Sequence, residues 1–322
     1  MGHATRCADL IQKLQANNTI TIAVTERTQL YFDKVFPNLK KVMLPSYRIT
    51  YSSFLPVWLK VLLQTRKIKS VIVAESLAVE ALQKQHKFDV IISDNRFGVL
   101  HPSASNYVIT HQLTIQTPIF SKLANRINQN YLNKFEHILV PDFAENAKCL
   151  AGKLSRNIFF ENKVTYIGPL SHLNLIPKTE STEKIKCLVI LSGPEPQRSI
   201  FEKEIIGLLD RPETATVLVR GSTTKTGTAT SHIKIINEAN NGELKKLIQS
   251  AELIICRSGY STLMDLYFMQ HTNLILVPTP GQTEQEYLAD FWQKKIGALQ
   301  LQQHQLKKQL AASIKTRLHL AR

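Results

Sequence analysis

Apolar positions along the chain fall into two patterns, short unbroken runs and runs spaced three or four residues apart, and the two alternate. A short run bounded by polar residues or glycine predicts a strand buried on both faces, whereas i, i+3, i+4 spacing predicts a helix with one face inward. In the first half, runs at Thr19–Val24, Ser70–Val73, Val90–Ile92, Tyr107–Ile109 and His137–Val140 predict strands, and Cys7, Leu10, Ile11 and Leu14 predict an opening helix. After a polar stretch from Ser171 to Lys184, a second series follows at Lys186–Leu191, Thr216–Val219, Lys234–Ile236, Leu253–Cys256 and Asn273–Val277. Strands and helices alternating in this way give parallel sheets covered on both faces, so the expected class is α/β with two Rossmann-like domains. The expected boundaries are 1–170 for the first domain, 171–184 for a linker, 185–300 for the second domain, and 301–322 for a basic amphipathic helix.

Composition narrows the functional classes. A length of 322 residues is enough for two ordinary cores, and 43% hydrophobic content with 12 Gly and 13 Pro describes a packed protein rather than a disordered one. Cys7, Cys149, Cys187 and Cys256 show no CxxC spacing, which speaks against a zinc site or a disulfide framework and suits a reducing cytoplasm. Forty Lys and Arg against 25 Asp and Glu give a net charge of +15, which favours nucleic acid, an anionic membrane face or phosphorylated ligands. Basic residues interleaved with aromatics are absent, so a nucleic-acid-binding protein ranks last of these. Two segments bear on the membrane. Tyr51–Arg66 sets Phe54, Trp58 and Leu62 on one helical row and Leu55, Leu59 and Leu63 on the next, beside Lys60, Arg66, Lys67 and Lys69. Residues 301–322 set Leu306, Leu310, Ile314 and Leu318 at i+4 spacing among five cations. A membrane-surface helix and a helix packed on protein are equally open for the first. Packing on protein is expected for the second, as a helix crossing back to the first domain.

The richest chemistry lies between Leu253 and Tyr287. An apolar run ends in Arg257-Ser258-Gly259, and from Ser261 the spacing becomes helical, giving strand, glycine turn and helix. A helix N-terminus presents unpaired amides and the positive end of the dipole, and glycine lets a phosphate come close, so this turn is a candidate anion cradle. A second strand runs into Pro278-Thr279-Pro280-Gly281, and Gln282 to Glu286 open another helix beside the first. Ser192-Gly193-Pro194-Glu195-Pro196-Gln197-Arg198 is a third turn at a strand end, and in the first half Asp94-Asn95-Arg96 and Thr110-His111-Gln112 follow strands in the same way. Each such turn alone reads as an ordinary cap, but two polar clusters on neighbouring loops point to function.

The pattern RSGYSTLMDL followed by VPTPGQTEQEYLA resembles the donor-binding half of glycosyltransferase family 28, the MurG-like group, and the DNRFG and THQL segments resemble the same group. The resemblance implies two facing Rossmann-like domains, the GT-B arrangement, with the diphosphate of a UDP-sugar on the turn formed by Arg257, Ser258, Gly259, Ser261 and Thr262. It places the ribose on Asp265, where the family has Glu, and the sugar hydroxyls on Gln285 and Glu286, where the family has a Gln pair, with Gln282 close by. Gly193 and Arg198 would face the donor phosphates. His3, in the Gly-His of a turn that follows the first strand in the family, is implied as catalytic base, with Asp94 or His111 as the other candidates. Asn95, Arg96 and Gln112 would meet the acceptor. The expected activity is inverting transfer of an N-acetylhexosamine or other hexose to a lipid-linked or membrane-associated acceptor. Since no DxD pair occurs, neither a metal nor a cofactor is expected. A UDP-sugar epimerase of the same fold is the alternative. The expected partners are a nucleotide sugar, an acceptor and an anionic membrane surface, and the expected location is the cytoplasm, peripheral on the inner face of the cell membrane. Because Met1 directly precedes Gly2-His3, the first strand of the domain is expected to be missing and to be encoded upstream.

Overall fold

The structure is a computed structural model that describes residues 2–47, 59–60, 63–176, 184–211, 215–221 and 230–319. These residues form two compact units, one within residues 1–170 and one that takes in 171–322.

The first unit opens with helix α1 (Gly2–Leu14), then β1 (Thr21–Val24), α2 (Gln29–Val35) and β2 (Lys40–Met43). It continues with α3 (Thr65–His86), β3 (Val90–Asp94), β4 (Ser105–Ile109), α4 (Ser121–Leu132), β5 (His137–Val140) and β6 (Val164–Tyr166). Its parallel strands form two sheets, β1-β2 and β3-β4-β5-β6, and no strand precedes α1 among the described residues. Val108, Leu132, Phe135, Ile138, Val140 and Phe160 make one core cluster, and Leu44, Val79, Ile91, Val99 and Ala104 make another.

One expected strand is overturned. Ser70–Val73 lies within α3, which buries Ile72, Glu75, Val79 and Gln83 and leaves Val73 58% exposed. Spacing by three and four over 22 residues outweighs a β-branched triplet, because that face has a core to pack on. Conversely β2, β6 and β12 (Leu299–Gln300) escaped the sequence reading; they are short and carry polar or charged residues. The membrane rows Phe54–Trp58–Leu62 and Leu55–Leu59–Leu63 fall largely outside the described residues. No helix of the described residues is long and apolar enough to cross a membrane.

The second unit holds β7 (Ile185–Ile190), α5 (Gln197–Leu209), β8 (Thr216–Val219), β9 (Ile233–Ile236), α6 (Asn241–Ser250) and β10 (Ala251–Cys256). It ends with α7 (Tyr260–Phe268), β11 (Leu274–Leu276), α8 (Thr283–Ile296), β12 and α9 (Leu306–Arg317). The sheet is entirely parallel in the order β12-β11-β10-β7-β8-β9. β7 and β10 lie at its centre, each buried at all but one position. Two sequence expectations change here. Residues 171–176, expected as linker, pack on this unit: Leu173 is buried, and Lys245 Nζ donates to Leu173 O at 3.2 Å and Ile176 O at 2.5 Å. The α9 row Leu306, Leu310 and Ile314, with Leu318 against it, sits in this unit's own core with Phe201, Leu253 and Ile275.

The carboxyl end of β3 depends on one close approach. Gly98 packs so tightly on α3 that an added Cβ would collide with the carbonyl oxygen of Ile72 and with Glu75. Gly98→Ala is therefore expected to destabilise the protein by about 2–3 kcal/mol, in the range of overpacked or strained sites. A thermal melt checks this, and an unchanged midpoint would contradict it.

Candidate functional site

In the second sheet the strand order reverses between β7 and β10, which lie side by side with Ile190 opposite Cys256. Loops leaving such a pair in opposite directions open a crevice beyond the carboxyl ends, where open α/β sheets bind ligands. The loop after β7 contains Gly193 at φ +101°, a conformation that requires glycine. The loop after β10 ends at Gly259, the N-cap of α7. Here the backbone, φ −73° and ψ 139°, suits any residue, and an added Cβ would meet only Gln285 Nε2, at 3.8 Å. The fold itself makes no demand for glycine at this point. The missing side chain leaves room at the N-terminus of α7, with Gln285 Nε2 beside it.

Asp265 stands on α7 about one turn further in. Its Oδ1 accepts from Ser171 Oγ at 2.5 Å and lies 3.5 Å from His172 Nδ1. Burial raises its carboxyl to about 7 against the opposing effect of the Ser171 hydrogen bond. Burial also pushes the His172 imidazole down to about 4, so His172 is neutral near pH 7 and offers no counter-charge. In the loop before α8, Gln282 Oε1 and the buried Thr279 Oγ1 have no hydrogen-bond partner.

In the first unit, the three catalytic candidates come together around a residue that sequence reasoning missed. Asp94 ends β3, and His111 lies two residues past the end of the adjacent β4. Helix α1 brings His3, Arg6 and Cys7 to them at i, i+3, i+4 spacing. Buried Arg6 donates through Nε to Asp94 Oδ2 at 3.2 Å, through Nη2 to Asp94 Oδ1, and through Nη1 to His111 Nδ1 at 3.2 Å. His3 Nδ1 lies 3.2 Å from both Asp94 oxygens and 2.9 Å from Arg6 Nη2, and Cys7 Sγ donates to Asp94 Oδ2 at 3.2 Å. Burial alone would raise the Asp94 carboxyl, but the charges and hydrogen bonds of Arg6 and His3 hold it far below the usual carboxylate range. Asp94 is thus ionised at any working pH. With its proton on Nδ1, His3 donates to Asp94 and leaves Nε2 as an acceptor; with its proton on Nε2, Nδ1 accepts from Arg6 Nη2 instead.

With this geometry in view, comparison with known families is direct. Residues 228–320 match the glycosyltransferase family 28 C-terminal domain. That stretch lies within the second unit. The chain is similar in fold to the glycotransferase of kitacinnamycin, at 13% identity over 99% of this chain and 90% of that one with a TM-score of 0.67. MurG of Acinetobacter baumannii gives 15% identity, 99% and 90% coverage and a TM-score of 0.56. An Arabidopsis thaliana protein complexed with UDP-L-rhamnose gives 12%, 98% and 87%, and 0.61. Comparison with curated protein sequences gives no match. The fold is therefore GT-B, two Rossmann-like domains, and the family and the named transferases are glycosyltransferases.

Several residues expected to touch ligand in or beside the family 28 domain are committed elsewhere. Arg257 is fully buried and donates to Val277 O, Pro278 O, Gln197 O and Gln303 Oε1 at 3.2, 3.0, 3.3 and 2.8 Å, with its guanidinium 4.0 Å from the Phe201 ring centroid. Burial brings it down to about 10, still a cation at neutral pH. Arg198 pairs with Glu195, lies 3.6 Å from Glu202, and donates to Arg220 O at 3.2 Å. Ser258 Oγ donates to Gln285 O at 2.7 Å, while Gln285 Oε1 accepts from Thr279 N at 2.9 Å. Ser258 therefore joins the two loops, and Gln285 closes the second loop onto its own helix. Glu286 Oε1 accepts from Gly281 N at 3.2 Å. In the first unit, Arg96 Nη2 pairs with buried Glu75 at 2.7 Å and lies near the Tyr47 ring, bracing α3. Asn95 supplies a left-handed turn at φ +55°. Gln112 O accepts from Asn128 Nδ2 at 3.0 Å.

A raised carboxyl has a thermodynamic sign. Folded Asp265 holds its proton to about pH 7, whereas the unfolded side chain releases it near the ordinary aspartate value of 3.8. The stability it contributes is complete below about pH 4 and is lost as pH rises through 7. Asp265→Asn should flatten that loss, on the order of 2 kcal/mol once partial solvent access is allowed for. Parallel denaturant curves of both proteins from pH 4 to 8 would show it, and identical pH profiles would refute it.

Proposed function

We propose that this protein is an inverting glycosyltransferase that moves a hexose or N-acetylhexosamine from a UDP-sugar to a lipid-linked or membrane-associated acceptor, peripheral to the cell membrane and without a divalent metal. The observation that carries the reading is the N-terminus of α7 at the strand-order switch, where Gly259 leaves space that the fold does not use. A diphosphate fits the chemistry of that space, since helix amides and dipole supply positive potential where Arg257 and Arg198 are already engaged. Asp265, held by Ser171 through one oxygen, is the group for a ribose diol. Thr279 and Gln282, with unmet hydrogen-bonding capacity, are the groups for sugar hydroxyls. The neighbour solved with UDP-L-rhamnose supports a uridine diphosphate donor. The absence of any DxD pair in the sequence supports a reaction without metal.

His3 is the proposed base. It is exposed while Arg6, Asp94 and His111 behind it are half-buried or buried, so Nε2 is the nitrogen open to an acceptor. As the acceptor oxygen bonds to the anomeric carbon, its proton passes to His3 and the bond from that carbon to the diphosphate oxygen breaks, inverting configuration. Ionised Asp94 stabilises the imidazolium, and the amides at Gly259 receive the charge leaving with UDP.

Two measurements test this. Gly259→Val should weaken UDP binding about tenfold or more while costing no more than about 1 kcal/mol of stability, the scale of a poorer N-cap. Equal UDP affinity by calorimetry in the two proteins would remove the site. In a turnover assay, His3→Ala should lower kcat by about 10²–10⁴ with UDP affinity unchanged, and excess chelator should leave the wild-type rate unaltered. Full activity of His3→Ala would move the base to another group. Conversion of UDP-sugar without acceptor would assign an epimerase.

A further inference from the structure

Three groups at the carboxyl ends of β3 and β4 compete for the role of base, and one guanidinium touches all three. Arg6, 3% exposed, reaches Asp94 through Nε and Nη2, His3 through Nη2 and His111 through Nη1. The arrangement is held from both sides. On α1, Ala4 and Ala8 are small and buried, so the helix lies close against what it packs on. Beyond β4, Thr110 N donates to Leu139 O at 3.1 Å and Gln112 N to Thr110 Oγ1 at 3.1 Å, which pins the chain on each side of His111.

A guanidinium carries five N–H groups and no lone pair, so each atom it faces has to act as acceptor. At His111 this fixes the ring. Nδ1 stands 3.2 Å from Arg6 Nη1 and supplies the lone pair, so the proton of the neutral imidazole sits on Nε2. In that form His111 has no second lone pair with which to take a proton from a substrate. Asp94 is engaged as fully: Nε meets Oδ2 at 3.2 Å, Nη2 meets Oδ1, and Cys7 Sγ donates to Oδ2 at 3.2 Å. A carboxylate in a two-pronged guanidinium grip is a poor proton acceptor. At His3 the same guanidinium shares the ring with the carboxylate. Nδ1 lies 3.2 Å from both Asp94 oxygens as well as 2.9 Å from Arg6 Nη2, so it can donate to Asp94 and leave the lone pair on Nε2. The His3 side chain is 62% exposed, against 3% for Arg6 and 12% for Asp94.

We propose that Arg6 is a positioning residue that selects the base: it locks His111 as the Nε2–H tautomer, holds the Asp94 carboxylate, and leaves His3 as the ring able to accept a proton. This deepens the reading of a transferase with His3 as base and rests on it for purpose, yet the tautomer can be observed with no substrate present. Removing Arg6 would leave Asp94 buried without its cation and endanger the fold, so the test falls on His111. The full chain is prepared with isotopically labelled histidine, and long-range proton–nitrogen correlations are recorded at neutral pH, the His111 signals being those lost in His111→Asn. A protonated Nε2 and a bare Nδ1 are expected. A proton on Nδ1, or on both nitrogens, would overturn the proposal. In turnover, His111→Asn keeps an oxygen to accept from Arg6 but has no basic nitrogen, so kcat should fall by less than about tenfold with UDP affinity unchanged. His111→Leu, which removes the acceptor, should fall further. A loss of about 10²–10⁴ in His111→Asn would make His111 the base, and equal kcat in the Asn and Leu variants would deny Arg6 any role through that ring; either result overturns the proposal. Full activity of His3→Ala would sink the reading of His3 as base while the His111 tautomer stood unaltered, so the two failures are separately visible.

Discussion

Buried guanidinium groups fix the strand-carboxyl ends of both units, and Arg257 shows the constraint most plainly. Removing such a cation from water costs several kcal/mol unless acceptors meet its N–H groups. Here the acceptors come from the ends of β11, α5 and the turn before α9, and Phe201 lies under the guanidinium plane. One side chain thereby ties together the loops on both sides of the strand-order switch, and the N-terminus of α7 stands two residues away on that base. The proposed diphosphate site would gain from such rigidity. Both Nη atoms of Arg257 are spent on the fold and the whole side chain is buried, so in that proposal the positive potential comes from backbone amides.

Arg6 applies the same device to groups that titrate. Its guanidinium faces Asp94, His3 and His111 at once, so a permanent cation sits between a carboxylate and two imidazoles. Asp94 can accept an N–H from His3 Nδ1, and Arg6 Nη2 can donate to the same nitrogen in the other tautomer.

Much of this was legible in the sequence, and the failures have physical causes. Strands at His137–Val140 and Thr216–Val219 were read to the residue, because Pro141 and Arg220 end the runs. The strand, turn and helix around Gly259 and Asp265 were read correctly because local order fixes them. For Arg198, Arg257 and Arg96, residue type and position reveal a cation near a strand end but not the carbonyls and carboxylates within the fold that engage it. Arg6 was missed, although its i+3 spacing from His3 on one helix was a usable signal. Ser171 and His172 were hidden in a polar stretch that reads as linker, since only long-range packing brings them to Asp265.

Helix α4 marks the limit of periodicity as a guide to orientation. Its spacing defines an apolar face, but spacing cannot say which way that face turns. Rotating Leu123 and Ile127 inward would gain about 1.5–3 kcal/mol for each side chain. The same rotation would strip partners from Ile115 N, Ile115 O and Gln112 O, each costing about 1–3 kcal/mol if left buried and unmet. The two sums are comparable, so the folded chain is not penalised for showing its aliphatic side to water. It follows that an outward apolar face can be carried at little expense in stability wherever paired asparagines satisfy the loop beneath it, and the surface chemistry of the helix is then free to be set by what it meets outside the protein.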